Sequence, residues 1–214
     1  LRLKKRVPNF HPNCIENSKY PILEIDSLYS YGKKLYNGDP AKFLNSNTFL
    51  YWPPDWNGGD LGDWGTGLSQ GIRYYGRGIT DDIKATWEVH RLQWVPSLAF
   101  VANREKDTAL AGELLDQIIR YWEIHPKNRT VSWMEGIEVS IRSISIIESL
   151  SFLKDLVFDD ERVTKIYHIL SEHAEWLSSH LSTKWRLNNN HLIIELVGLR
   201  IIGERIKWHP KSRL

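Results

Sequence analysis

Residues 108–124 read Thr-Ala-Leu-Ala-Gly-Glu-Leu-Leu-Asp-Gln-Ile-Ile-Arg-Tyr-Trp-Glu-Ile. Leu110, Leu114, Ile118 and Trp122 recur every fourth residue, with Ala111, Leu115 and Ile119 beside them. That spacing lays one apolar stripe along an α-helix and leaves the opposite side polar. His125-Pro126 ends the pattern, because proline cannot continue a helix. Upstream, Arg104-Glu105-Lys106-Asp107 is a polar turn, and residues 82–103 carry a further helical pattern predicted as one helix. Downstream, helices are predicted over 134–156 and 161–181, joined at Phe158-Asp159-Asp160, and over 192–206.

These elements repeat with a period of roughly 50 to 58 residues. Each unit is a helix hairpin. The first helix of a unit is the more apolar, as Ile137, Ile141, Ile144, Ile146, Ile147 and Leu150 show. The second is amphipathic, with Val163, Ile166, Tyr167, Leu170, Ala174 and Leu177 on one side. A helix apolar nearly all round is buried, and one with a polar face lies outside. Alternating inner and outer helices predict an all-α fold, an incomplete (α/α) toroid of antiparallel hairpins. Two hairpins and one lone inner helix do not close a ring, so the chain is expected to be the front part of a longer protein. Ahead of the hairpins, residues 20–36 read as a helix stopped by Gly38-Asp39-Pro40. Residues 45–78 are rich in Gly, Trp, Asp and Pro and read as a long ordered loop, the kind that tends to be functional. The expected division is therefore 1–81, a helix plus irregular region, and 82–214, the toroid segment.

The 214 residues are 42% hydrophobic with a formal charge of +2, which fits a folded chain and argues against a broad nucleic-acid surface. Lys4-Lys5-Arg6 reads as a solvated basic tail. Cys14 stands alone and makes no internal disulfide. No apolar run reaches the roughly 18 residues a membrane helix needs. Ten Trp and nine Tyr fit either a large aromatic core or stacking on sugar rings. Glycine-rich phosphate loops and paired-Cys zinc spacings are absent, so no metal or cofactor is expected.

The starts of the three inner helices hold the candidate site. They are Trp87-Glu88-Val89-His90-Arg91, Ser132-Trp133-Met134-Glu135-Gly136-Ile137-Glu138 with Arg142, and Asn188-Asn189-Asn190-His191. Inner helices running the same way gather their N-termini on one face, where free N–H groups favour anions. Asn supplies neutral hydrogen-bond donors, and His exchanges protons near neutral pH. Plainer readings stand beside these. Glu138 and Arg142 have the spacing of an intrahelical ion pair, as do Glu88 and Arg91. His90 reads equally as a buried core histidine, and Asn188 as a helix cap. His168 and His173 lie on an outer helix, and His11, His125 and His209 neighbour proline. Asp55, Asp60 and Asp63 are loop carboxylates that a glycoside hydrolase would use in pairs.

Taken in order, Asp82-Ile83-Lys84 with Trp87 to Gln93, then Ser132 to Arg142, then Asn189-Asn190-His191-Leu192 resemble the N-terminal α/α toroid of the heparinase II/III-like polysaccharide lyases, a group that includes heparan-sulfate and oligo-alginate lyases. The likeness spans roughly residues 45–203. It implies β-elimination on a uronic-acid polysaccharide. Asn190 and His191 would be catalytic, the amide neutralising the uronate carboxylate and the imidazole moving a proton. Trp87, Glu88, His90, Arg91, Trp133, Glu138, Arg142 and Asn189 would bind substrate or support its cleft. The resemblance also implies an acidic polysaccharide or oligosaccharide as partner, with neither nucleic acid nor membrane, and a periplasmic or secreted location. The family's catalytic Tyr and β-sandwich lie further along, so the 214 residues alone are expected to be inactive. Two other readings are a non-catalytic sugar-binding toroid and a toroid hydrolase using Asp60, Asp63 or Glu88.

Overall fold

A computed structural model describes residues 22–42, 49–56, 83–157, 160–183 and 190–206. The elements are α1 (Ile22–Tyr36), a short antiparallel pairing of β1 (Ala41–Lys42) with β2 (Phe49–Leu50), α2 (Ile83–His90), α3 (Val95–Glu105), α4 (Thr108–Ile124), a 3-10 turn (Val131–Trp133), α5 (Gly136–Leu153), α6 (Glu161–Ser179) and α7 (Asn190–Arg205). Among the described residues the fold is all-α apart from that four-residue ladder. The Gly/Trp-rich stretch from 57 on, Asp60, Asp63, Asn188, Asn189, Cys14, His11, His209 and the basic run at 4–6 lie outside the described residues.

Local chemistry sets the hairpin turns. Lys106 adopts a left-handed conformation (φ 56°) that closes α3, and its N–H reaches the Ala102 and Asn103 carbonyls. Asp107 then caps α4 by accepting from the Leu110 N–H at 2.9 Å. Asp160 caps α6 in the same way through the Arg162 N–H.

The helix expected over 82–103 is two helices. Leu92 takes a positive φ of 55°, and residues 91–94 turn the chain before α3 begins. Pro96 explains the break. It lacks the N–H that would bond the Leu92 carbonyl, and its ring crowds that residue, so a continuous helix breaks there while Pro96 is tolerated in the first turn of a new one.

Helices α3, α5 and α7 form a row, with α4 and α6 covering it and α1 packing on α3. Contacts advance together along α5 and α7: Gly136 meets Glu195, and Ser140 meets Gly198. The two helices therefore run parallel, with their N-termini at one end. Twelve of the 18 residues of α5 are buried, several of them serines. Ser143, Ser145, Ser149 and Ser151 each donate to the carbonyl four residues back, which lets a polar-rich helix sit inside. The apolar α7, read as an inner helix, buries only the stripe Glu195, Gly198 and Ile202. Ile193, Leu196 and Val197 are 65%, 49% and 40% exposed, because α5 and α6 cover one side alone among the described elements. Among the described residues no helix is long and apolar enough to cross a membrane.

Candidate functional site

The site begins where the chain enters α5. The 3-10 turn before it is pinned from two sides. Trp87 donates its indole N–H to the Val131 carbonyl at 3.0 Å, and Trp133 donates to the His125 carbonyl at 2.8 Å. Trp87 is half-buried, whereas Trp133 is fully buried against His173 and Trp176.

Glu138, in the first turn of α5, accepts from Arg91 Nε at 2.7 Å and Nη2 at 2.9 Å. Arg91 Nη1 also donates to Glu88. The Glu138 side chain is 2% exposed and that of Arg91 20%. The intrahelical pair of Glu138 with Arg142 is thus replaced by a bidentate bridge from another segment. The planar guanidinium fork matches a carboxylate edge better than an i,i+4 approach allows. That bridge holds Arg91 even more firmly protonated than usual.

Arg142 lies beneath, fully buried. Its Nη1 donates to the Ser132 carbonyl at 3.1 Å, and its Nε faces His173 Nε2 at 3.4 Å. The guanidinium lies 5.5 Å from the Tyr121 ring and 5.2 Å from the Trp133 ring, within cation–π range. Since Arg142 only donates, His173 Nε2 must accept, so Nδ1 carries the proton toward Ser143 Oγ at 2.9 Å. His90 meets the Tyr121 hydroxyl at 3.1 Å and packs edge-on against His125. Burial above all holds the three imidazoles neutral, joined for His90 by His125 and then Arg142, for His125 by Arg142, and for His173 by Arg142 and then Lys127. His90 and His173 titrate well below the usual histidine range, and His125 at about 4. Arg142 Nη2 and His125 Nε2 are buried without a hydrogen-bond partner.

At the same end of α5, α7 opens with Asn190, whose side chain is exposed. His191 Nδ1 lies 4.0 Å from Glu135 Oε2, with the two side chains 39% and 34% exposed. Burial raises the Glu135 carboxyl, partly offset by His191. One turn along α7, Glu195 is wholly buried and accepts from Ser182 N at 2.8 Å and Ser182 Oγ at 2.7 Å.

The sequence candidates therefore divide. Trp87, Glu88, Arg91, Glu138, Asn190 and His191 cluster around the start of α5, partly open to solvent except for Glu138. His90, Trp133 and Arg142, expected to bind substrate or support its cleft, with His90 read equally as a core histidine, have buried side chains. His90 is the last residue of α2 rather than the first of an inner helix, Trp133 closes the 3-10 turn and Arg142 lies two turns into α5, and all three side chains turn into the core.

A family model described as heparinase II/III N-terminus matches residues 42–206. The chain belongs to that family. Comparison with curated proteins and with solved structures gave no match. The heparinase II/III N-terminal match covers every site residue named above and makes this a module related to polysaccharide lyases. Among the described residues, no group of three or more His, Cys, Asp or Glu is arranged to hold a metal ion.

Sequence reasoning passed over Glu135 and Glu195 in this heparinase II/III N-terminal segment. Glu135 stands inside the stretch already singled out, beside the helix start. Glu195 is the lone charge in the apolar run from Leu192 to Leu199, which is itself a signal, because a buried carboxylate must have partners. Tyr121, His125 and His173 carried no pattern that would have joined them to Arg142.

Proposed function

We propose that this chain is part of a lyase that cleaves a uronic-acid-containing polysaccharide by β-elimination, with Asn190 and His191 at the reacting sugar. Family membership supports a polysaccharide-acting module. The observation that carries the finer reading is the placing of an exposed amide and a half-exposed imidazole on consecutive residues at the start of α7, next to the start of α5. In the reaction, the Asn190 amide donates to the uronate carboxylate and stabilises the charge that builds as the C5 proton leaves. His191 takes that proton. The electrons of the C5–H bond form the C4–C5 double bond, the C4–O4 bond breaks, and O4 leaves with a proton from an acid, a role the family resemblance gives to a Tyr. Trp87 and the Glu88–Arg91–Glu138 bridge shape the flank of the groove. The ring-like array of inner helices and a periplasmic or secreted location belong to the same proposal.

The test uses the intact protein. Incubation with heparan sulfate, alginate or capsular uronans should raise the ultraviolet absorbance of an unsaturated uronate. Asn190→Ala and His191→Ala should each lower kcat by about 10²- to 10⁴-fold. No absorbance change on any uronan, or full activity in both variants, would overturn the reading.

A further inference from the structure

We infer that Glu135 is the positioning residue of His191, a carboxylate that holds imidazole Nδ1 and so presents Nε2 to the substrate. The inference rests on the elimination chemistry proposed above and adds to it the origin of the base's orientation.

Four observations lead here. First, Glu135 Oε2 and His191 Nδ1 are 4.0 Å apart although the residues come from different helices. That is charge-pair distance, longer than a hydrogen bond, and catalytic hydrogen bonds are often long until substrate binds. Second, Glu135 occupies the N-cap position of α5 with extended backbone (φ −126°, ψ 133°), yet its side chain makes no capping bond. Glu is not among the usual capping residues, so this side chain is not tied to the helix end. It is turned toward α7 instead.

Third, the spacing is built rather than incidental. Gly136, the next residue, sits so close to Glu195 that an added Cβ would lie 2.4 Å from Oε1. Glu195 is in turn fixed by two bonds from Ser182. Glu195 is four residues after His191, so one turn of α7 carries both the imidazole and the strut that sets its distance from Glu135. A second contact, Gly198 on Ser140, fixes the angle between the helices.

Fourth, the competing carboxylates are already engaged. The charged groups acting on Glu135 are His191, Glu138 and Glu195. Glu138 is held by Arg91, and Glu195 by Ser182. Among the described residues, Glu135 is thus the carboxylate left to serve His191.

The chemistry follows from the two ring nitrogens. With Nδ1–H directed at Glu135, the lone pair is on Nε2, and the carboxylate stabilises the imidazolium that forms when Nε2 takes the C5 proton. Glu135 neither contacts substrate nor accepts that proton.

Glu135→Gln and Glu135→Asp in the intact protein test this, with folding checked by circular dichroism. The first readout is the His191 tautomer, followed at about pH 8 by 15N NMR of ring-labelled histidine and assigned by the signals lost in His191→Asn. Wild type and Glu135→Asp should carry the ring proton on Nδ1, and Glu135→Gln should weaken that preference. The second readout is kinetic. Glu135→Gln should lower kcat by about 10²-fold with KM nearly unchanged, and Glu135→Asp should recover part of the loss. An unchanged tautomer, or a changed tautomer with unchanged kcat, overturns the inference even if the wild type is an active lyase. A wild type that cuts no uronan sinks the elimination reading instead, and the tautomer alone then decides whether the pair exists.

Discussion

Glu138 is far more deeply buried than the arginine that neutralises it, and that inequality fixes how the pair responds to substitution. Removing Arg91 leaves a carboxylate in a dry place with no cation bonded to it. Breaking a buried pair from one side typically costs about 3–5 kcal/mol. Arg91→Ala should therefore lower unfolding free energy by about 3 kcal/mol in urea denaturation. Adding Glu138→Gln to it should recover part of that loss, since a neutral amide is cheaper to bury. A double variant less stable than Arg91→Ala would contradict this account. Sequence spacing pointed instead to Arg142, four residues on, because pairs within a helix are the ones a one-dimensional pattern reports. The true partner lies 47 residues away. Nothing in the order of residues announces a bridge between two segments that meet only after folding. The same limit hid the inward turn of Trp133, whose place ahead of α5 was readable but whose side-chain direction was not, and left His90 open between core and cleft.

Between elements, the decisive contacts are those glycine permits. At Gly198 an added Cβ would lie 2.8 Å from the Ser140 Cβ and 3.1 Å from its Cα, so α5 as a whole would have to move. At Gly112 the nearest atom is 3.1 Å away and belongs to the tip of Arg162. Alanine gains up to about 1 kcal/mol of helix propensity at either position. Overpacking costs about 1–3 kcal/mol where the neighbour is backbone. Gly198→Ala should thus be destabilising by about 1–2 kcal/mol, and Gly112→Ala close to neutral, as read by thermal melts of both variants. Equal losses would show that helix spacing is not what Gly198 sets. The bounds of α4 were legible because three local signals agreed: the apolar stripe, Asp107 before it and His125-Pro126 after it. The split between α2 and α3 was also written in the chain, in Pro96, but the apolar periodicity running through it masked the signal. Close approaches such as Gly136 on Glu195 have no counterpart in periodicity at all.

For the molecule as a whole, the buried group around Arg142 couples stability to acidity. His90 from α2, His125 beside α4 and His173 from α6 meet there, with Tyr121 from α4, Ser132 from the 3-10 turn and Ser143 from α5. The groups acting on the histidines are Arg142 and Lys127, both positive, and, for His90, His125 as well, while Glu138 is the nearby negative group acting on Arg142. All three imidazoles titrate lower in the folded chain than the usual 6.5, so the unfolded chain binds more protons between those ranges. Stability is then fully present above about pH 6.5 and falls as pH drops below it. For His125 the loss runs from about 6.5 to about 4 and reaches about 3 kcal/mol at most, taking about 1.4 kcal/mol per pH unit. Glu135 and Glu148, both raised by burial, act in the opposite sense, restoring some stability as pH falls through their raised range toward the ordinary carboxylate value. The expected melting temperature is level from pH 8 to 7 and declines steeply from 6 to 4.5. His125→Phe keeps the ring volume and removes one proton acceptor, so the variant should show a shallower decline over that window whatever its stability at pH 8. An identical slope in wild type and variant would mean that acid sensitivity arises elsewhere, and that His125 does not share the charge balance centred on Arg142.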